Sequence, residues 1–582
     1  MKYNISPSAS TSQTDLSRTI ASTLDFNQIL PVNFTDCIIG DKHNVHIDSY
    51  FRLAPMVNPT FGNMQVRFVS FFVPYYQVMP HFDDFVSGLS SYAGTNLSIP
   101  SCYITHFAGI FNVSTGLSTV TGTESDYDFQ AYSSVSGTTD YHKFTSDGRY
   151  VYKILQSLGY SISAGQTSSP YNNQTGYPTK LSLLPILCFL KAYNDWMSVS
   201  PLYNSSAITA FLEQVRNGYS FTTHANLAAL GNILKLVRPL IGSDYFTSAY
   251  NYSYQPGPVI SNSISNRIQY NQTNSDTSSF NSASVITSGN NTITTTLTSN
   301  NTLNSRQLNF LQSFDKWIRL NNLSGTKAAQ RIYNRFGLKS EDFRSNYAHL
   351  IHSTKTPLQV SDVVSTTRND NVSLGDYAGQ SVAQASIDFD YECMDYGALI
   401  TLAFIDVRAA YYNSIAPHVL RNSSFDFYQP EFDGVGMEPI SSVQLQNYPE
   451  LISEGLNPAS SVFGFVPRYE DYRTSYDLVT GDFIRFKNMM SWHFGRDLSS
   501  NQRNGTPNVQ PQSNDFQFIG DELDRIFQSD TSNVLDDMAD HFFCVFRCNH
   551  SAVRKIKSRA NSIQMSDGSI SAPSFGNNIQ SV

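Results

Sequence analysis

Charge is what this chain has least of. Lysine, arginine, aspartate and glutamate make up 15% of its 582 residues, against about 25% in an ordinary globular protein. That shortage argues against a protein built of long helices. Cysteine is equally sparse. Cys37, Cys102, Cys188, Cys393, Cys544 and Cys548 are too few for a disulfide scaffold, and no tight CxxC pair marks a zinc site. Only Cys544 and Cys548 are close; on a strand they would face the same way but lie ~13 Å apart at ~3.3 Å per residue, too far to bridge. All six are therefore expected to be reduced packing residues, with no resident metal or other cofactor. Long apolar runs are missing too. Leu181 to Leu190 is about ten residues and contains Pro185, whereas a membrane span needs about twenty, so no membrane insertion is expected. The chain starts Met1-Lys2-Tyr3 and runs polar, without the apolar region of a signal peptide. It has no GxSxG elbow and no Walker-type loop; Gly325-Thr326-Lys327 copies only the end of one.

What is abundant is aromatic and small polar. Aromatics are 13% and apolar residues 40%, ample for a large core. Many Tyr, Phe, Asn, Ser and Thr with little charge suit strands, loops and broad protein–protein contacts. A net charge of -9 argues against nucleic acid covering the whole surface and leaves room for a local basic patch.

Along the chain, residues 1–42 read as an extended arm. Val45, Ile47, Ser49, Phe51 and Leu53 then alternate with His46, Asp48, Tyr50 and Arg52, the period of a half-buried strand. A second strand runs from Met64 to Val73, with Met64, Val66, Phe68 and Phe72 on one face, and Pro74 ends it. Residues 88–178 read as a long insertion of irregular strands. Helices are expected over Leu181–Met197, interrupted near Pro185, and over Ala225–Leu240, both inside a helical insertion at 180–243. Residues 257–304 are dominated by Asn, Ser and Thr, and fit either a disordered linker or an exposed loop of turns. Ser305–Arg335 is the clearest helix of the next insertion, 305–340, with Gly325 inside it and Gly337 closing it. Ala398–Tyr411 is almost continuously apolar, a strand buried on both faces. Phe542–Phe546 is the last strong strand. Strands at both ends around a helical middle predict one mainly β sandwich over 43–582 whose first and last strands pair across the interruption.

Candidate sites are few. His43 and His46 sit near Asp41 and Asp48, but positions three apart on a strand face opposite sides, so they read as strand-face histidines. Glu431/Asp433 and Glu470/Asp471 are carboxylate pairs of the kind a glycosidase uses, though catalytic pairs are placed by the fold and not by adjacency. No catalytic residue is assigned. Lys327, Arg331, Arg335 and Lys339 recur every four residues and would form one helical stripe. Arg547, Arg554, Lys555, Lys557 and Arg559 form a second basic cluster. Each group could face phosphates or be a solvated face. Phe543 and Phe546 could stack on bases but read better as core of the last strand.

Several motifs recur in an order that resembles the Microviridae major capsid protein, most closely the gokushovirus-like branch. They are Phe51-Arg52-Leu53-Ala54, Phe71-Phe72-Val73-Pro74, Leu184-Pro185 with Ala192-Tyr193-Asn194-Asp195-Trp196, and Asp244-Tyr245-Phe246-Thr247-Ser248. Arg335-Phe336-Gly337-Leu338, Val407-Arg408-Ala409, Phe425-Asp426-Phe427-Tyr428-Gln429-Pro430, Arg468 to Arg473 and Thr480-Gly481-Asp482-Phe483 continue it. The first two motifs look like that family's first two barrel strands. A Trp-Pro pair expected after Ser248 is absent, and Gln429 replaces an aromatic residue. The resemblance implies a viral jelly roll with long, partly helical insertions and no enzymatic activity. It implies self-assembly into a T=1 shell in a bacterial cytoplasm, enclosing circular single-stranded DNA. It further implies minor virion proteins and a host-surface receptor as partners, with 257–304 as a surface protrusion. Without it, a carbohydrate-binding or carbohydrate-cleaving sandwich, or a phage receptor-binding spike, would fit the composition.

Overall fold

The computed structural model describes residues 11–89, 95–111, 139–160, 180–198, 206–249, 347–364, 377–412, 415–433, 437–445, 462–496, 523–527 and 540–556, apart from single residues and pairs within these ranges. It also describes short pieces at 91–92, 117–120 and 129–132 and residues 313, 317, 336 and 337. The expected protrusion at 257–304 and nearly all of the helix expected over 305–340 lie outside these residues.

Ten strands carry the architecture: β1 (Ser12–Asp15), β2 (Arg18–Leu24), β3 (Ile29–Cys37), β4 (Lys42–Leu53), β5 (Met64–Pro74), β6 (His349–Pro357), β7 (Val360–Val364), β8 (Tyr377–Glu392), β9 (Gly397–Val407) and β10 (Phe542–Arg554). One antiparallel sheet runs β10-β4-β8-β7, with β1 and β2 both on the free edge of β10. The other runs β6-β5-β9-β3. The chain crosses between sheets at β2–β3, β3–β4, β4–β5, β6–β7, β8–β9 and β9–β10, and the late strands slot between early ones. β10 lies between β2 and β4, and β9 between β3 and β5. That is the nested order of a jelly roll.

The expected pairing of first and last segments is present: Lys42 to Leu53 face Val553 to Phe542 in continuous antiparallel register. The barrel, however, starts earlier than expected. Residues 12–37 are extended, as an arm would be, but they supply three strands of the two sheets. Phe51–Ala54 and Phe71–Pro74, expected in the first two barrel strands, lie at the ends of the third and fourth of nine when β2 is counted first.

Burial explains the layering. On β4 the alternation is strict, with Val45, Ile47, Ser49, Phe51 and Leu53 buried and Lys42, Asn44, Asp48, Tyr50 and Arg52 exposed. Val45, Ile47, Phe51 and Leu53 meet Met64, Val66, Phe68 and Phe72 of β5 and Cys544, Phe546 and Cys548 of β10 in the core between the sheets. β5 and β9 do not stop at one buried face. Val69, Phe71 and Val73, with Ala398, Ile400, Leu402 and Phe404, enter a second core on the far side of their sheet. All eleven residues of β9 are buried.

Helices cover that far side. They are α1 (Ser146–Ser157), α2 (Leu184–Trp196), α3 (Ser206–Arg216) and α4 (His224–Leu234). Pro185 does not break α2; it sits in the first turn, where its missing N–H has no partner to lose. α4 ends six residues before the expected Leu240, and Pro239 bars the residue before it from helix. α1 lies within the 88–178 insertion, where irregular strands were expected. Thr145 caps it by accepting from the Gly148 N–H at 3.3 Å. Tyr150 of α1 is buried, accepts from the Ile29 N–H at 3.1 Å and donates to the Val237 carbonyl at 2.6 Å. Part of that insertion is thus core. Among the described residues no helix is long and apolar enough to cross a membrane.

Candidate assembly and nucleic-acid surfaces

The strand period decides where the basic candidates point. Arg547 is exposed on the outer face of β10, opposite Asp48 of β4. Phe546 is fully buried and stands edge-on to Phe51 at 5.6 Å. Phe543 departs from the core expected for it: it is 48% exposed, opposite Arg52. Odd-numbered positions of β10 face out here, and Phe543 is one of them.

The face they share is mixed in sign. Lys42, Arg52 and Arg547 are interspersed with Asp48, Asp388, Asp390 and Glu392, and Lys42 pairs with Glu392 at 3.3 Å. Arg554 turns inward, its Nε 3.3 Å from Asp41 and its Nη2 donating to the Asp36 carbonyl at 2.6 Å. Lys555 lies against Gly40. Lys327, Arg331, Arg335, Lys339, Lys557 and Arg559 lie outside the described residues. Beside that stripe, Phe336 is helical and Gly337 has φ +67°, the left-handed turn expected to close the helix.

A second surface is apolar. Residues 417–433 carry Val419, Phe425, Phe427 and Tyr428, all about half exposed or more, and Tyr472 and Phe486 are similarly open. Arginines hold this ledge in shape. Arg421 stacks over Tyr472 at 4.2 Å and pairs with Asp471. Arg468 lies over Phe432 at 4.9 Å, and Arg473 pairs with Asp433 at 2.6 Å. Tyr428 packs on Tyr469 with ring centres 5.0 Å apart. The Phe425–Pro430 and Arg468–Arg473 motifs, some forty residues apart in sequence, therefore form one surface. Asp433, Glu470 and Asp471 are engaged by arginines, an arrangement that serves the fold and not acid–base chemistry.

Two other motifs are joints. Asp244 accepts from the N–H groups of Phe246 and Thr247 at 2.9 and 2.8 Å and from the Tyr411 hydroxyl at 2.7 Å. Phe246 then packs on Tyr411 and Tyr476. In α2, buried Lys191 pairs with Asp195 at 2.9 Å, and Asp195 also accepts from the Ala348 N–H at 2.8 Å. Trp196 donates to the Ala348 carbonyl at 2.6 Å. This joint holds the chain where it enters β6. Burial pulls the Lys191 ammonium below its ordinary value, against the pull of Asp195.

Sequence reasoning missed one cluster. His43 and His46 do face opposite sides, as expected: His43 is buried, while His46 points out and pairs with Asp48 at 3.1 Å. But Cys37, His43 and Cys393 converge, all buried. No local spacing announces a ligand more than 300 residues away.

A two-sheet jelly roll with a helical layer and a rigid aromatic ledge is the architecture of a viral coat protein. The chain matches the model of the capsid protein (F protein) family over residues 4–133 and 163–560, and belongs to that family. It is similar to capsid protein VP1 of Bdellovibrio phage phiMH2K, 21% identical over 523 residues covering 82% of this chain and 83% of the relative. It is also 21% identical over 197 residues to capsid protein VP1 of Chlamydia phage 1, covering 32% of this chain and 33% of that relative. The resemblance to the Microviridae coat protein is borne out. The protein is a non-enzymatic major capsid protein of a bacteriophage, located in the virion, whose copies assemble into a shell.

Proposed function

We propose that copies of this chain close into a T=1 icosahedral shell around circular single-stranded DNA. Long loops, 257–304 among them, face outward to a host-surface receptor, and minor virion proteins complete the particle. Assembly takes place in the bacterial cytoplasm. The observation that carries this reading is the family match across most of the chain, joined to a jelly roll whose motif-bearing ledge exposes aromatic side chains. Such a ledge suits the large interfaces between unlike patches that rotational symmetry closes. Permanent assemblies of this kind bury over about 2,000 Å² per interface.

With Arg554 engaged inside the subunit, DNA contact falls to Arg547, Lys555, Lys557, Arg559 and the stripe Lys327, Arg331, Arg335 and Lys339. Cryo-electron microscopy of particles from infected or expressing cells tests the shell, with nuclease-protected DNA as a second readout. Sixty copies and a protected circular genome are expected. Small soluble oligomers that bind sugar, or open trimers, would sink the reading. Arg547→Glu with Lys555→Glu and Lys557→Glu should lower protected DNA more than shell yield; equal losses would remove these residues from the DNA surface.

A further inference from the structure

Two connections between the sheets meet at one end of the sandwich. Residues 38–41 lead from β3 to β4, and residues 393–396 lead from β8 to β9. They are tied backbone to backbone: the Gly40 N–H donates to the Cys393 carbonyl at 2.7 Å, and the Cys393 N–H to the Asp41 carbonyl at 2.8 Å. Gly40, at φ +83°, makes the turn that allows this approach.

Chemistry collects at the tie. Cys37 ends β3, His43 is the second residue of β4 and Cys393 follows β8; they are 2%, 2% and 0% exposed. Their two sulfurs and one imidazole nitrogen lie within 4.8 Å of one another. The His43 Nδ1 is taken by His550 Nε2 at 2.9 Å, which orients the ring. Its buried Nε2 makes no hydrogen bond of good geometry and has the Cys393 thiol as its polar neighbour. Asp41, fully buried, sets Oδ2 3.7 Å from that nitrogen, and its Oδ1 is also buried without a hydrogen bond. Buried polar atoms left so are destabilising, and here they stand side by side with two thiols.

A metal ion would satisfy all of them. Two sulfurs, a nitrogen and an oxygen form a borderline-soft set that suits zinc and disfavours magnesium or calcium, which take oxygen. Around a tetrahedral zinc, with bonds of about 2.0–2.3 Å, neighbouring ligand atoms lie about 3.3–3.8 Å apart. The two sulfurs and the imidazole nitrogen, within 4.8 Å of one another, need to close by only about 1 Å. Asp41, 3.7 Å from that nitrogen but outside the group of three, would turn in as the fourth ligand. Zinc held by two thiolates and a carboxylate carries net charge of about −1, and the Arg554 guanidinium 3.3 Å from Asp41 offsets it. His550 supplies the outer-layer hydrogen bond that metal-bound histidines usually have.

We propose that Cys37, His43 and Cys393, closed by Asp41, form a structural zinc site that staples the two sheet-to-sheet connections. Binding would fix both turns at once and add stability to the end of the sandwich from which β4 and β9 start. The full-length chain, purified without chelator, should carry about one zinc per chain by elemental analysis. Cys393→Ser and His43→Ala should lose it, while Cys544→Ser, another buried cysteine, should keep it. Should those variants fail to fold, cobalt loading of the wild-type chain decides. Thiolate-to-cobalt charge transfer with the visible bands of a tetrahedral ion supports the site. Zinc retained in Cys393→Ser, or a wild-type chain with reduced thiols that takes up neither metal, overturns it. So does an intact mass two hydrogens low and restored by reductant, which would mean that Cys37 and Cys393 form a disulfide instead.

Discussion

Single ionisable residues sit at this protein's joints, and their environments set how it responds to pH and substitution. His541, just before β10, stacks on Phe527 with ring centres 4.1 Å apart and approaches Asp25 at 3.2 Å and Asp524 at 3.8 Å. Asp540, which pairs with Lys153 of α1, is the remaining charge beside it. Burial alone would lower this imidazole, but the hydrogen bond it donates to Asp25 and the charges of Asp25, Asp524 and Asp540 outweigh it, so its pKa is raised above the ordinary 6.5. A group with a raised native pKa contributes its full stabilisation below the unfolded value and loses it as pH rises through the folded one. The melting-temperature gap between wild type and His541→Gln should therefore be wider near pH ~6 than near pH ~8.5. A gap constant across that span would remove the carboxylate cluster as its cause. Asp195 offers a larger effect. Asp195→Ala deprives buried Lys191 of its carboxylate and the Ala348 N–H of its acceptor. A loss of about 3–5 kcal/mol is expected, read from urea unfolding of the subunit. A loss below about 1 kcal/mol, the range of surface pairs, would show that this joint carries little.

At the scale of the element, the two faces of β10 should answer differently to the same truncation. Phe546→Ala empties a site between Phe51 and Phe68 in the core and should cost about 3–5 kcal/mol. Phe543→Ala, on the outer face, should cost under about 1 kcal/mol. Comparable losses in the two variants would mean that the strand is rotated. This pair also marks how far the sequence could be read. On β4 the alternation names each face because one side meets core and the other meets solvent. On β5 the same rule found Met64, Val66, Phe68 and Phe72, yet missed that Val69, Phe71 and Val73 are buried as well, since helices from distant segments cover them. β10 was read only to Phe546, because Arg547, Asn549 and Ser551 break its apolar look. They simply point outward. β2 and β3 were hidden for the opposite reason. Arg18 to Leu24 and Ile29 to Cys37 are polar or irregular in pattern, and pairing to β10 and β9 makes them strands. The Cys37–His43–Cys393 cluster was the least legible, because it exists only where two crossovers meet.

For the whole molecule, the largest open aromatic surface among the described residues is the ledge formed by residues 417–433 and 468–473. Phe425 is 62% exposed and Phe427 52%, an unusual density of open aromatic surface for a finished soluble protein. Their backbone is not loose. Arg421, Arg468 and Arg473 lock the ledge through stacking and ion pairs, so little ordering entropy remains to be lost when another copy docks. Rigid aromatic anchors of that kind usually carry a disproportionate share of interface energy, about 2 kcal/mol or more each. In a closed shell each such contact recurs in every subunit, so a modest local loss is multiplied around the particle. Phe425→Glu with Phe427→Glu should leave the subunit folded, because neither side chain is in a core, with a melting temperature near that of wild type. Particle yield, read by sedimentation and negative-stain imaging, should fall by about tenfold or more, as 1.4 kcal/mol per contact already implies. Particles at wild-type yield would place the ledge away from subunit contacts. A subunit that no longer folds would make it part of the fold itself.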